Sequence, residues 1–500
     1  MQRNRDIRYL LGCLVCLAGT AVVYALTLAP TVQGFDSAEL TVGAATLGLV
    51  HPTGYPLYML IGHAAAQFAW GETGFQLNLL SAVLGTTSVG LFYLLIARQT
   101  HSAFTALSAA WLFALAPHVW AQSIRAEVYT LHVLLVVSIL LLWQRAWQKD
   151  QPALALAYFV LLGLAGANHA TSILLALALL AGTDWKDSRR RKYSLGGILL
   201  GGLLAGLLYL YFPWRAAQEP LINYIGEYFG RDPRRPADLL WLVTGQAFRC
   251  AVQPAWTFRE GWAQLLRLGA FLWDGSLGLA PLLGIWGWLQ LNKSQPRWNR
   301  MLSVFFLGNL VFFVIYQVVD KEAMFLPLYL VMGLWIAQGV LGFAGWLSTR
   351  LPRLEQAAAL RLTNLALLIL LAVGMVVDWR AVDLSQDRQA YNYAHQVLEA
   401  LPPSTIIVNH WATASVFDYL RIVEGVRPDV RSFNLDFFSL GTQAACQVSD
   451  DGGLNAAWFG WLEAQVQVHT PLCFIEPLPA LPLRFEWARQ GACWTLEVSP

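Results

Sequence analysis

Two carboxylates and an imidazole stand close together early in the chain, in Asp36-Ser37-Ala38-Glu39 and then His51-Pro52-Thr53-Gly54-Tyr55-Pro56-Leu57-Tyr58. A carboxylate within about 3 Å of a hydroxyl can take its proton as a general base. Asp36 is the candidate for that role, and Glu39 could orient it. Asp36, Glu39 and His51 together could also hold a divalent metal such as Mg or Mn, or His51 could donate to a phosphate. A structural alternative stands beside each reading. Asp36 and Glu39 have the spacing of a helix capping box, with Pro52 ending the helix that the box begins. A single histidine next to proline is more often structural than functional.

A second set of residues suits an anionic partner. Arg125, Glu127 and Tyr129 follow Pro117-His118-Val119-Trp120; His169 follows Asn168; Arg215 follows Pro213-Trp214; Lys321 lies in Asp320-Lys321-Glu322. Cations and oriented donors stabilise charge that develops on a phosphate. The alternatives are an ion pair within an aromatic belt for Arg125 and Glu127, a cap or buried polar group for His169, and a plain charged turn for Lys321.

These residues must be positioned by membrane helices. Of 500 residues 57% are hydrophobic and 13% charged, about half the charged share of a soluble domain, so much of the apolar surface must face lipid. The net charge of +2 argues against a nucleic-acid partner. A span needs about 20 apolar residues. The runs 9–29, 75–97, 102–118, 129–147, 152–167, 169–183, 194–213, 264–290, 300–318, 325–347 and 361–378 predict about eleven. The first reads as a retained anchor rather than a cleaved signal.

Lys and Arg collect in alternate connections, at Arg3, Arg5 and Arg8, Arg98, Arg145 and Lys149, Lys186 to Lys192, Lys293 to Arg300, and Arg350 with Arg353. By the positive-inside rule the N-terminus is then cytoplasmic. Segments 30–74, 119–128, 214–263, 319–324 and the tail 379–500 fall outside. The domain reading is a transmembrane catalytic domain, 1–378, with outer loops 30–74 and 214–263, followed by a soluble extracytoplasmic domain, 379–500. In that tail, helix-like 389–401 and 412–424 alternate with strand-like 405–409, 429–433, 471–475 and 493–498, which predicts a small α/β domain. Cys250, Cys446, Cys473 and Cys493 lie in outer segments where disulfides are permitted, with no pairing deducible.

The motif from Asp36 to Tyr58 resembles the signature of a family of multi-pass proteins first known as a domain of unknown function. That family includes a vertebrate IPT-domain protein O-mannosyltransferase and belongs with the GT-C glycosyltransferases. Arg125-Ala126-Glu127-Val128-Tyr129, Asn168-His169, Pro220 to Asn223, Trp241 to Gly245, Asp320-Lys321-Glu322, Phe325-Leu326-Pro327 and Tyr419 to Val430 are similar in the same order. The family's Trp-Gly-Asp or Trp-Gly-Asn after the seventh span is replaced here by Asn223 to Pro233.

The resemblance implies a GT-C-like helical fold and a membrane glycosyltransferase. It would move a sugar, with mannose a candidate, from a polyprenyl-phosphate donor to a hydroxyl of a protein, glycan or lipid acceptor outside the cytoplasm. It also implies Asp36 and Glu39 as catalytic, with His51, Arg125, Glu127, Tyr129, His169 and Lys321 toward the donor phosphate; Arg215, where the seventh span emerges, stands at a good height for a lipid phosphate. A bacterial inner membrane is the expected location. Two other classes stay open: a transporter or flippase of lipid-linked sugars, and a non-catalytic anchor that displays the tail.

Overall fold

Each predicted apolar run forms helix. The computed structural model describes residues 2–68, 70–252, 257–318, 320–442, 456–468, 470–477 and 485–498. Among these, seven helices are long and apolar enough to cross a bilayer: Asp6–Thr27, Thr73–Thr100, Tyr129–Gln148, Ser188–Ala216, Pro296–Ile315, Lys321–Arg350 and Gln356–Val382. Ala103–Ala114 and Pro117–Ser123 are together long and apolar enough as well, but are bent by 72° at their junction, the geometry of a broken span or a re-entrant loop. Pro117 supplies the break, because a proline ring disfavours helix in the residue before it. Leu154–Asn168 and Ser172–Gly182 are shorter apolar helices. The chain is an integral, multi-pass membrane protein.

Burial separates central from peripheral helices. Within Lys321–Arg350, 89% of the most apolar window is buried by protein, against 17% within Gln356–Val382. On Ser188–Tyr209 the residues Leu195, Leu199, Leu203 and Leu207 are all exposed. Their four-residue spacing puts them on one helix face, the stripe that lipid covers.

Several boundaries differ from the sequence reading. The run 264–290 is not one helix: Phe258–Asp274 ends at a turn, and a π-type turn, Ala280–Gly284, leads into Ile285–Ser294. The first of these helices also begins inside the expected loop 214–263. There Thr257 accepts from the Glu260 backbone at 3.3 Å while Glu260 accepts from the Thr257 backbone at 2.9 Å, a capping box. The last long helix runs to Val382, four residues past the expected boundary at 378.

The tail is an α/β domain with a five-stranded sheet, β1 (Ile406–Asn409), β2 (Arg431–Asn434), β3 (Leu472–Phe474), β4 (Phe485–Gln490) and β5 (Cys493–Val498), in the order β2-β1-β3-β5-β4. The strands β2, β1 and β3 are parallel, with Ile406 opposite both Arg431 and Leu472, and β5 pairs antiparallel with β3 and β4. The sequence reading contained no strand at β4. A disulfide joins Cys473 to Cys493. Cys446 lies outside the described residues.

The tail docks on the helix bundle. Leu384 donates to the Thr27 carbonyl at 3.1 Å, and Gln33 Nε2 to the Asp387 carbonyl at 3.2 Å. The Gly74 backbone donates to the Tyr419 hydroxyl at 3.3 Å, and the Tyr224 hydroxyl donates to Asp418.

Candidate active site

The segment between the first two long helices folds into two short helices, Asp36–Thr46 and Pro56–Ala66. Asp36, Ser37, Glu39 and Thr41 of the first are buried. The capping box is not formed. Phe35 occupies the N-cap position without a side-chain bond, Asp36 is the first helical residue, and the helix ends at Leu47 in the left-handed conformation, well before Pro52. Glu39 turns inward instead and accepts from the His51 backbone at 2.7 Å, while His51 Nδ1 lies 3.0 Å from both of its carboxylate oxygens. Asp36 Oδ1 is 3.6 Å from the same nitrogen. On the ring's other side, His51 Nε2 meets the Tyr55 hydroxyl at 2.9 Å.

The loop that carries His51 is held from outside. Leu49 donates to the Ile222 carbonyl at 3.0 Å and Tyr224 to the Leu49 carbonyl at 2.9 Å, and Tyr211 donates to the Gly48 carbonyl at 2.8 Å. Asn223, in the segment that departs from the family pattern, caps the next helix by accepting from Gly226 at 2.9 Å. Gly54 has φ +84°, and a Cβ there would lie 2.1 Å from the Phe212 ring. Glycine is required twice over, by conformation and by close approach.

Burial and neighbouring charges shift the titration of these groups. Burial pushes the Asp36 carboxyl up to about 7; His51 and Arg125 pull it down, while Glu39 and Asp320 push it up. For His51, burial opposes the charged ring, but Glu39, Asp36 and Asp320 outweigh it and hold the imidazolium up to about 9. Glu127 is raised well above the usual carboxylate range by burial, with Arg125 pulling against it. Asp36 Oδ1 and Glu127 Oε2 are among the buried side-chain oxygens that have no hydrogen-bond partner.

The residues singled out from the sequence separate into two groups. Tyr55 stacks on His169 with ring centroids 5.9 Å apart, and Tyr129 lies 5.5 Å from the same ring. His169, at the break between the two short apolar helices, binds the Thr171 hydroxyl through Nδ1 at 2.7 Å. Arg125 Nε is 3.6 Å from Glu127 Oε1, and the Arg125 side chain is 32% exposed. Asp36, Glu39, His51, Arg125, Glu127, Tyr129 and His169 therefore form one neighbourhood.

Arg215 and Lys321 are bonded to backbone carbonyls and amide side chains of the protein. Arg215 donates to the Leu47 carbonyl at 2.7 Å and the Thr46 carbonyl at 3.1 Å, and also to Gln218. It neutralises the carbonyl end of the acidic helix, the end that favours a cation. Lys321 is fully buried and donates to the carbonyls of Phe313 at 2.6 Å and Tyr316 at 2.8 Å, and to Gln264. An ammonium has three donors, so none is left.

The structure adds residues that sequence reasoning did not select. Asp320, beside Lys321, is exposed and acts electrostatically on Asp36, His51 and Glu127. The triplet Asp320-Lys321-Glu322 contained the signal, but not which member acts on the site. From the tail, Trp411 and Phe437 pack on the His51 ring with centroids 5.9 and 5.8 Å away. No local pattern could have announced that contact.

The chain thus combines a multi-pass helical bundle, a buried acidic cluster and a docked α/β tail. Solved structures share its fold. The chain matches ArnT from Cupriavidus metallidurans bound to undecaprenyl phosphate at a TM-score of 0.59 and 14% identity, over 86% of this chain and 88% of that one. It matches the Archaeoglobus fulgidus oligosaccharyltransferase tethered to an acceptor peptide at 0.50 and 13%, over 85% of this chain and 64% of that one. The GT-C fold follows.

Within that class, residues 36–192 match the family model described as the protein O-mannosyl-transferase TMEM260 N-terminal domain, beginning at Asp36 itself. Similar curated proteins are the protein O-mannosyl-transferase tmem260 of Dictyostelium discoideum, 23% identical over 88% of this chain and 59% of that protein, and TMEM260 of Mus musculus, 24% identical over 84% and 62%. The chain thus spans about 60% of the length of these relatives.

Proposed function

We propose that this chain is a membrane glycosyltransferase that moves a sugar, mannose by analogy with the similar proteins, from a polyprenyl-phosphate carrier to an acceptor hydroxyl outside the cytoplasm. The observation that carries the reading is Asp36: a buried carboxylate with an unpartnered oxygen, its pKa raised to about 7, beside an ion-paired His51. A base poised near the working pH is the best compromise between being ionised and being able to take a proton.

Asp36 removes the proton from the acceptor hydroxyl as its oxygen bonds to the anomeric carbon. The bond from that carbon to the phosphate oxygen breaks, and the polyprenyl phosphate leaves with the electron pair. Charge grows on the phosphate during this step, and Arg125, partly exposed and paired only loosely with Glu127, is the cation available to meet it. Glu39 acts through His51 by fixing its ring and its charge.

Asp36, Glu39 and His51 offer three donor atoms within 4.8 Å of one another, a set of the kind that holds a divalent cation. As a set they do not suit Mg or Mn. Hard cations take oxygen ligands, and both ring nitrogens of His51 already have partners, Glu39 and Tyr55. Glu39 is neutralised by the ring, so the site's internal cation is the imidazolium.

The Cys473–Cys493 disulfide supports placing the tail outside the cytoplasm, since such bonds persist in oxidising compartments. A bacterial inner membrane with a cytoplasmic N-terminus accommodates that orientation.

The test is turnover of the purified protein with a panel of polyprenyl-phosphate sugars, read as sugar released or transferred. Asp36→Asn should lower the rate by about 10²–10⁴-fold, the usual cost of losing a general base, while donor binding persists. Near-normal turnover by a well-folded Asp36→Asn protein would overturn the assignment.

A further inference from the structure

The residue just before Asp36 has an unusual backbone. Phe35 has φ 60° and ψ −137°, a combination that L-residues avoid and that persists only where the surroundings impose it. The surroundings here belong to the tail, some 380 residues away in sequence. The Phe35 N–H donates to the Ala412 carbonyl at 3.3 Å. The Phe35 carbonyl accepts from the Ser415 hydroxyl at 2.8 Å. Its ring stands edge-on to Trp411, centroids 5.7 Å apart.

The approach is close on the preceding residue as well. A Cβ on Gly34 would lie 2.4 Å from the Ala412 carbonyl oxygen, so glycine is what lets the two backbones meet. Ala412 and Ser415 belong to one short helix, Trp411–Asp418, and Ser415 is 1% exposed. Both polar groups of the Phe35 backbone are therefore bonded to a single element of the other domain.

We propose that Ser415 is a positioning residue, which together with the Ala412 carbonyl holds Phe35 in this conformation and so aims the Asp36 carboxylate. The proposal rests on Asp36 being the base. It makes the tail part of the frame of the catalytic centre, in addition to any contact the tail makes with an acceptor.

The experiment measures turnover of polyprenyl-phosphate mannose by the full-length protein in detergent, with pH profile, donor KM and thermal midpoint for each variant. Ser415→Ala should lower kcat about tenfold and displace the acid limb of the pH profile, with donor KM and thermal midpoint little changed. Gly34→Ala, which pushes the Ala412 carbonyl away, should lower kcat in the same manner. Phe35→Gly placed in the Ser415→Ala background should recover most of the lost kcat, because glycine adopts this conformation without being held.

Unchanged kcat and pH profile in Ser415→Ala would overturn the proposal. So would a loss that Phe35→Gly does not restore, since Ser415 would then act only on folding. Asp36→Asn is measured alongside. If it turns over normally, the base assignment falls and takes the proposal with it; if it is inactive while Ser415→Ala is normal, only the positioning role falls.

Discussion

Glu39 Oε1 accepts from both the backbone N–H and the ring Nδ1 of His51, at 2.7 and 3.0 Å. One carboxylate oxygen thereby fixes the loop, the imidazole's orientation and its charge, and the fully buried Glu39 gains the cation that a buried carboxylate needs.

Glu39→Gln keeps an acceptor but removes the counter-charge. Charge-assisted hydrogen bonds are worth roughly 1.5–3 kcal/mol, and a loss of that order is expected in thermal or denaturant unfolding. His51 should then lose its proton at lower pH, which NMR of the labelled imidazole would report. An unshifted His51 titration would contradict the pairing.

The rate should depend on pH on both sides. Asp36 must be ionised to act as base, so activity should rise as pH increases through about 7. His51 must be protonated to remain paired with Glu39, so activity should fall as pH passes about 9. Asp36→Glu should move the lower limb and leave the upper one. A profile flat between about pH 6 and 10 would be incompatible with these assignments.

Chelation should have little effect, since the His51 imidazolium already neutralises Glu39. Turnover after extensive dialysis against EDTA is expected to stay within about twofold of the untreated enzyme, because cation removal changes rate only where the cation supplies the charge stabilisation. Loss on dialysis, with recovery on adding Mg or Mn, would require His51 to give up its place to a metal.

Lys321→Met should damage the fold and spare donor recognition. It strips the donor from two carbonyls and Gln264, and each buried acceptor left unpaired costs about 1–3 kcal/mol. Donor KM measured on the surviving folded fraction should be unchanged. A large rise in KM at constant stability would instead place Lys321 at the phosphate.

A reporter that works only outside the cytoplasm, fused after Ser385, should be active. The eleven runs read from the sequence, counted from a cytoplasmic N-terminus, place Ser385 outside, and the charge bias of the loops points the same way. Activity of a cytoplasmic reporter at that position would reverse the orientation.

Much of the architecture was legible in the chain. The runs ending near Ala97, Trp147 and Leu347 coincide with helices because lipid imposes length and apolarity on every spanning segment separately. The strands around Ile407 and Phe433 were readable from β-branched and aromatic residues between turns. Less legible were the bend at Pro117, the break after Asp274 and the strand Phe485–Gln490, where local composition permits more than one outcome.

Residue types and order, then, determined that this is a multi-pass membrane protein with an α/β tail and an acidic, histidine-bearing segment between its first long helices. Hydropathy and strand propensity act within short windows, so a sequence can display them. Only the tertiary structure decided that Glu39 pairs with His51 rather than capping a helix, that Asp320 acts on the charges of Asp36 and His51 while Lys321 is consumed by Phe313, Tyr316 and Gln264, and that Ser415 grips the residue before Asp36. Each of those outcomes depends on which surfaces meet when distant segments pack, and the direction in which a buried side chain points is set by the partner it meets there.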